Sequence, residues 1–140
     1  MSEQSTTPNL VELTRRLFWS VNEGDFDGMM SFFGDDSVWD VRPWGLGAHF
    51  GTAAIRQFLE QWMGSFDEYQ VEVEEMLDLG NGVVLVIATQ YAHSAGSRSQ
   101  LRLRYAPVFV WAGEVAVEVT HYRDIDEAQA AAGRLAESRG

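Results

Sequence analysis

Asp40 is the carboxylate whose setting most suggests chemistry, because it stands in Ser37-Val38-Trp39-Asp40-Val41, an alternating segment that reads as a short strand. A carboxyl walled by aromatic rings loses hydration, which raises its pKa toward the range of a general base. An exposed acid at a strand end has the same local sequence, so both readings stand. His49, His93 and His121 form neither a His-x-His nor a His-Glu-x-x-His spacing. A metal site needs three or four converging ligands, so no metal is expected and the histidines read as structural or exposed. With no cysteine there is no thiol nucleophile, thiolate site or disulfide. No glycine-rich phosphate loop follows a strand, which leaves nucleotide binding without support.

The elements that must position Asp40 follow from periodicity. Thr7-Pro8 resembles a cap with proline at the first helical position, and Leu10, Leu13, Leu17 and Val21 recur at helical spacing to about residue 22. Asp25 caps a short second helix with Phe26, Met29, Met30 and Phe33 on one face. Ile55, Phe58, Leu59, Trp62, Met63 and Phe66 give the clearest helical stripe, opened by Gly51-Thr52. From Tyr69 the period becomes two, Gly80-Asn81-Gly82 turns the chain into Val83–His93, and Ser94–Ser99 is a polar loop. Strands Leu101–Trp111 and Val115–Tyr122 follow across an Ala112-Gly113 turn, and Asp124 with Glu127 starts a helix through Leu135. Helices first and long strands after them imply α+β, an antiparallel sheet whose concave face the helices cover, with a cavity at its mouth. The 140 residues form one expected domain, with 1–7 and 136–140 as flexible tails.

The runs Asn22-Glu23-Gly24-Asp25-Phe26-Asp27-Gly28, Asp35-Asp36-Ser37-Val38-Trp39-Asp40 and Gly51-Thr52-Ala53-Ala54-Ile55-Arg56 resemble the nuclear transport factor 2-like superfamily, in particular its SnoaL-like and ketosteroid-isomerase-like branches. The resemblance spans about residues 8–135 and implies a cone-shaped curved sheet wrapped around N-terminal helices. It places the proton-shuttling aspartate of the isomerases on Asp40. The oxyanion-hole donors of those enzymes fall on Leu17 and Pro107, which donate no side-chain hydrogen bond, so steroid isomerisation by that route is not expected. Epoxide-hydrolase branches imply Glu60 on the long helix, or Asp124 of the Arg123-Asp124 pair, as partners of Asp40. Glu60 lies well off the apolar stripe, and Asp124 is placed to cap a helix.

On the last strand Glu118, Thr120 and Tyr122 share one face and Val115, Val117 and Val119 the other. Hydrophobicity alone puts the valines inside. The resemblance reverses this, implying that Glu118, Thr120 and Tyr122 line the cone and that the valines form a homodimer interface on the outer face. In the same register Tyr105, Phe109 and Trp111, with Leu59, Trp62 and Met63 from the long helix, make an apolar wall, and Trp44 is a flap at the mouth.

The expected function is therefore a small-molecule pocket that needs no cofactor. It is an isomerase, cyclase or epoxide-hydrolase-like enzyme acting on an apolar oxygenated substrate with Asp40 as base, or else a non-catalytic ligand-binding or interaction module. The formal charge of −11 disfavours nucleic acid and anionic membrane as partners, and the polar Met1–Asn9 fits a soluble cytoplasmic protein.

Overall fold

A computed structural model describes residues 9–94, 96 and 100–139. Thr7, Pro8, the 1–7 tail and most of the 94–99 loop lie outside them. Helix α1 (Leu10–Glu23) is instead capped by Asn9, whose side chain accepts from the Glu12 amide. Helix α2 (Phe26–Met30) follows, capped by Asp25 as its sequence suggests. Strand β1 (Val38–Asp40), a 3-10 turn (Arg42–Trp44) and strand β2 (Ala48–Phe50) lead into helix α3 (Thr52–Gly64). Strands β3 (Phe66–Gly80), β4 (Val83–Ser94), β5 (Gln100–Ala112) and β6 (Val115–Tyr122) then build the sheet, and α4 (Ile125–Arg139) closes the chain.

The six strands lie in the order β2-β1-β6-β5-β4-β3. All neighbours are antiparallel except β1 and β6, which run parallel, so the sheet is mixed. Ser37 fixes that junction: its hydroxyl donates to the Ala116 carbonyl at 2.8 Å and accepts from the Gly34 amide. Asn22, at the end of α1, bonds both the N–H and the C=O of Val71 in β3, which ties the first helix across the sheet.

Period-two burial splits the sheet between two layers. Val84, Val86, Tyr105, Phe109 and Val119 point to the concave face and pack with α1, α2 and α3. Val83, Leu85, Ala106 and Val108 point the other way and are covered by Ala128, Ala132 and Ala136 of α4. This second layer explains why α4 runs on to Arg139 where the sequence suggested a flexible tail from 136. Ala136 packs on the sheet and its carbonyl accepts from Asn81, while Arg139 bonds the Asn81 carbonyl. No helix among the described residues is long and apolar enough to cross a membrane.

Candidate functional site

Between the concave sheet face and helices α1 and α3 lies a cavity of about 50 Å³. Its walls are mostly rings: Phe18 from α1, Phe58 and Trp62 from α3, Tyr69 from β3, and Tyr105 and Phe109 from β5. Trp44 and Leu46 of the loop after β1 also line it, as do Leu59 and Met63. No Asp, Glu, Lys or Arg is among the lining residues. The polar groups that reach it include the Tyr69–Gln90 pair, joined by a 2.5 Å hydrogen bond, and Tyr105, Trp39 and His121.

The parity of β1 decides which side chains enter. Trp39 is level with Val119, and Asp40 with Thr120. Across the next pairing Val119 is level with Phe109, His121 with Pro107, and Thr120 with Val108. Trp39, Val41 and His121 therefore join the cavity wall, and Asp40 takes the opposite face with Thr120. There Arg42 holds both carboxylate oxygens, with Nε to Oδ1 at 3.0 Å and Nη2 to Oδ2 at 2.7 Å, and its own amide adds a third bond. The Arg42 hydrogen bond keeps the Asp40 pKa below the usual carboxylate value, against the raising effect of burial. The expectation of a raised pKa in the pocket is thus corrected: the side chain is hidden, 7% accessible, but beneath an arginine and not among the cavity rings.

Trp44, Leu59, Met63, Tyr105 and Phe109 meet at the cavity. Trp111 does not line it; it is buried, stacked 6.0 Å from Phe109, with Nε1 donating to the Thr14 hydroxyl. Glu118, Thr120 and Tyr122 lie on the face opposite the cavity, in register with Val110, Val108 and Ala106. Of the valines expected at an outer interface, Val119 is corrected by the same register, being fully buried within the chain's own core, while Val117, at a break in the β5–β6 register, is half-buried and Val115 is exposed. Glu60 sits on α3 paired to Arg56, which also bonds Asp27. Asp124 caps α4, accepting from the amides of Asp126 and Glu127. Asp40, Glu60 and Asp124 are each held by a different cation or helix end, and the structure brings no two of them together.

His121, read from sequence as structural or exposed, is the group the structure adds. It is buried between Trp39, 4.3 Å away by ring centroids, and Tyr105, stacked at 6.1 Å. Burial pushes its imidazole pKa down to about 3, outweighing the raising effect of the Asp40 charge, so the ring is neutral near pH 7. Burial likewise raises the hydroxyls of Tyr105 and, to about 12, Tyr69, which stay protonated. His121 Nε2 and Trp39 Nε1 are buried without a hydrogen-bond partner among the described residues. No group of three or more His, Cys, Asp or Glu among the described residues is placed to hold a metal ion.

The family model of the SnoaL-like domain matches residues 14–119. The chain belongs to the SnoaL-like domain family. No curated protein matches it significantly. Among solved structures, this SnoaL-like chain superimposes on a candidate SnoaL-like polyketide cyclase from Shewanella putrefaciens with a TM-score of 0.74 at 15% identity, covering 92% of this chain and 98% of that one. A protein with a ketosteroid-isomerase-like fold from Catenulispora acidiphila, solved with trimethylamine, gives 0.72 at 15% identity, with 91% and 94% covered. An LEH-like epoxide hydrolase of M. tuberculosis gives 0.72 at 15% identity, with 96% of each chain covered. At these identities the likeness establishes the nuclear transport factor 2-like cone and nothing about activity.

Proposed function

We propose that this SnoaL-like chain binds an uncharged, mostly apolar small molecule in the cavity between α1, α3 and the concave sheet. The observation that carries the reading is a wall of rings and aliphatic side chains without one ionised group, around an imidazole that burial keeps neutral. A phosphate or carboxylate entering there would lose its hydration with no cation to offset the loss. An apolar ligand gains roughly 25 cal/mol for each Å² removed from water. The volume adds a limit: about 50 Å³ is a third of the ~150 Å³ apolar cavity that takes a benzene. The closed cavity therefore accommodates one end of a polycyclic molecule, and the remainder lies at the mouth or displaces the Trp44 loop.

Thermal shift with neutral apolar compounds, set against nucleotides and sugar phosphates, tests this. Saturation at 100 times the dissociation constant stabilises the folded chain by about 2.7 kcal/mol. Stabilisation by the phosphorylated set alone rejects the reading.

A second reading, turnover of a carbonyl compound, is favoured by His121 itself. The protonated Tyr105 hydroxyl polarises a carbonyl oxygen without bringing a charge into an apolar site, which leaves the neutral imidazole beside it free to accept a proton. Proton removal then falls to His121, since no carboxylate lines the cavity, and so weak a base makes enolisation slow. Deuterium uptake at the α-carbon of a bound ketone, lost in His121→Phe, supports the reaction; no uptake leaves binding alone.

A further inference from the structure

Two side chains of the cavity wall each carry a nitrogen with unmet hydrogen-bonding capacity. Trp39 Nε1 and His121 Nε2 are buried, belong to residues 7% and 6% exposed, and find no partner among the described residues. An indole N–H only donates, so it requires an acceptor, and a buried donor left unmade costs the full desolvation of that group. The structure meets this need elsewhere: the indole N–H of Trp111, equally buried, has the Thr14 hydroxyl 3.1 Å away. Across the cavity the Tyr69 hydroxyl is likewise engaged, with Gln90. The two orphan nitrogens are thus concentrated at one wall, where β1 lies beside β6 and the rings of Trp39 and His121 stand 4.3 Å apart.

We infer that this wall is a subsite for one uncharged ligand oxygen, which accepts the Trp39 N–H and completes a second hydrogen bond with His121. The inference rests on the cavity reading and sharpens it, naming the functional group and the end of the ligand that enters. Two kinds of oxygen meet the requirement. A hydroxyl accepts from Trp39 and donates to an unprotonated Nε2, so His121 carries its proton on Nδ1. A carbonyl accepts from both residues, so His121 carries its proton on Nε2. A carboxylate offers the same oxygens but brings a charge next to Asp40, whose field His121 already feels, with no lysine or arginine on the cavity wall. The oxygen-bearing end is the one that turns toward these rings, because the lining at Trp44, Leu46, Phe58 and Trp62 offers an apolar surface to the rest of the ligand.

Calorimetric titration of the intact chain with four ligands of one shape decides the matter: 4-ethylphenol, 4-methylacetophenone, 4-ethyltoluene and 4-ethylbenzoate. The phenol or the ketone is expected to bind about tenfold more tightly than the hydrocarbon, the factor one buried hydrogen bond supplies. The benzoate is expected not to bind. Nitrogen-15 shifts of His121 then separate the sources, with Nδ1 protonated in the phenol complex and Nε2 in the ketone complex. In Trp39→Phe, which keeps a ring and removes the donor, the advantage over 4-ethyltoluene should fall to within about twofold. If that variant does not fold, the comparison within the unmodified protein still decides. Equal binding of 4-ethyltoluene and the oxygenated pair overturns the subsite, since a trapped water then answers both nitrogens, while leaving the cavity reading intact. Preferential binding of the benzoate overturns it as well. Failure of all four to bind overturns both.

Discussion

The indole of Trp39 and the imidazole of His121 lie with centroids 4.3 Å apart and planes tilted by 44°. They meet because β1 runs parallel to β6 with Trp39 level with Val119, which puts Trp39 on the concave face with Val119 and His121. Phe33 closes the other side of Trp39 at 5.8 Å, and Tyr105 the other side of His121. The imidazole is therefore shut off from water by rings, and its titration becomes part of the stability of the fold.

His121 makes the fold acid-sensitive in a defined window. Its pKa is about 3 in the folded chain against 6.5 for a solvated imidazole, so between those values the unfolded chain binds the extra proton. Stability is complete above pH 6.5 and falls as the pH drops toward 3, at up to about 1.4 kcal/mol per pH unit. Urea midpoints from pH 7 to pH 4 should decline in the parent and much less in His121→Phe. Superimposable profiles would show that the imidazole is hydrated in solution.

Asp40 is expected to act on the loop that follows it. Its carboxylate takes three hydrogen bonds from Arg42 and so pins the turn that carries Trp44. Asp40→Asn should leave ligand affinity within a few-fold and speed dissociation. Because the folded pKa is depressed, this contribution is present above the ordinary value of 3.8 and lost as pH falls through the lower folded value. Stopped-flow release of a bound fluorescent ligand reads it. Complete loss of binding or turnover in Asp40→Asn would return the residue to the role of base.

The elements were legible in the sequence where a period repeats often enough to average over exceptions. The Ile55–Met63 part of the stripe matches α3, although Phe66, read as its last position, opens β3, and the Gly80-Asn81-Gly82 turn sits where β3 ends and β4 begins. β1 offers three residues, too few for alternation to say which face is inward, and a shift of one exchanges Asp40 for Trp39. On β6 the simple rule pointed the right way for the second half of the strand, where Val119 and His121 share a parity and are inside, but a register shift before Glu118 leaves Val115 exposed and Ala116 buried. The resemblance reversed that choice, and His121 went with it. Nothing in the local sequence marks His121 as buried, since its neighbours in space, Trp39 and Tyr105, come from other strands. α4 covering the convex layer was equally hidden, because its alanines show little amphipathic contrast.

Gly82 is expected to be intolerant of any side chain. Its φ is +85°, and a Cβ there would collide with the backbone carbonyl of Trp111, whose own amide donates to the Gly82 carbonyl at 2.7 Å. Neither neighbour can rotate away, so Gly82→Ala adds a backbone displacement to the strain of roughly 1 kcal/mol that an L-residue meets in this region. Gly113→Ala is the control, since φ is +61° there and nothing lies within 4 Å of the added carbon. Denaturant midpoints should fall clearly further for Gly82→Ala than for Gly113→Ala. Equal losses would mean that the β5 carbonyl can yield.

Trp44 is expected to set how fast a ligand leaves. It ends the Arg42–Trp44 turn, lines the cavity mouth, and meets Tyr105 edge-on at 6.4 Å. On its outer side the Arg123 guanidinium sits 5.0 Å from the ring centroid, so the indole is held between a cavity ring and a surface cation. Gly45 and Gly47 follow with positive φ, and a Cβ added at either would meet nothing within 4 Å, so no side-chain packing holds the loop at these two positions. A cation–π contact at the surface is worth about 0.5–1 kcal/mol, which predicts a roughly two- to fivefold change in the balance of closed and open loops when it is removed. Arg123→Gln should raise the dissociation rate by about that factor and leave the association rate nearly unchanged, as loss of a closing contact does. Trp44→Ala should go further, weakening small ligands that depend on the indole for cover while admitting longer ones that the closed mouth excludes. If Arg123→Gln releases ligand at the parental rate while Trp44→Ala does not, the indole covers the cavity without help from the cation. If neither variant changes release, the ligand passes by another route and the loop is no gate.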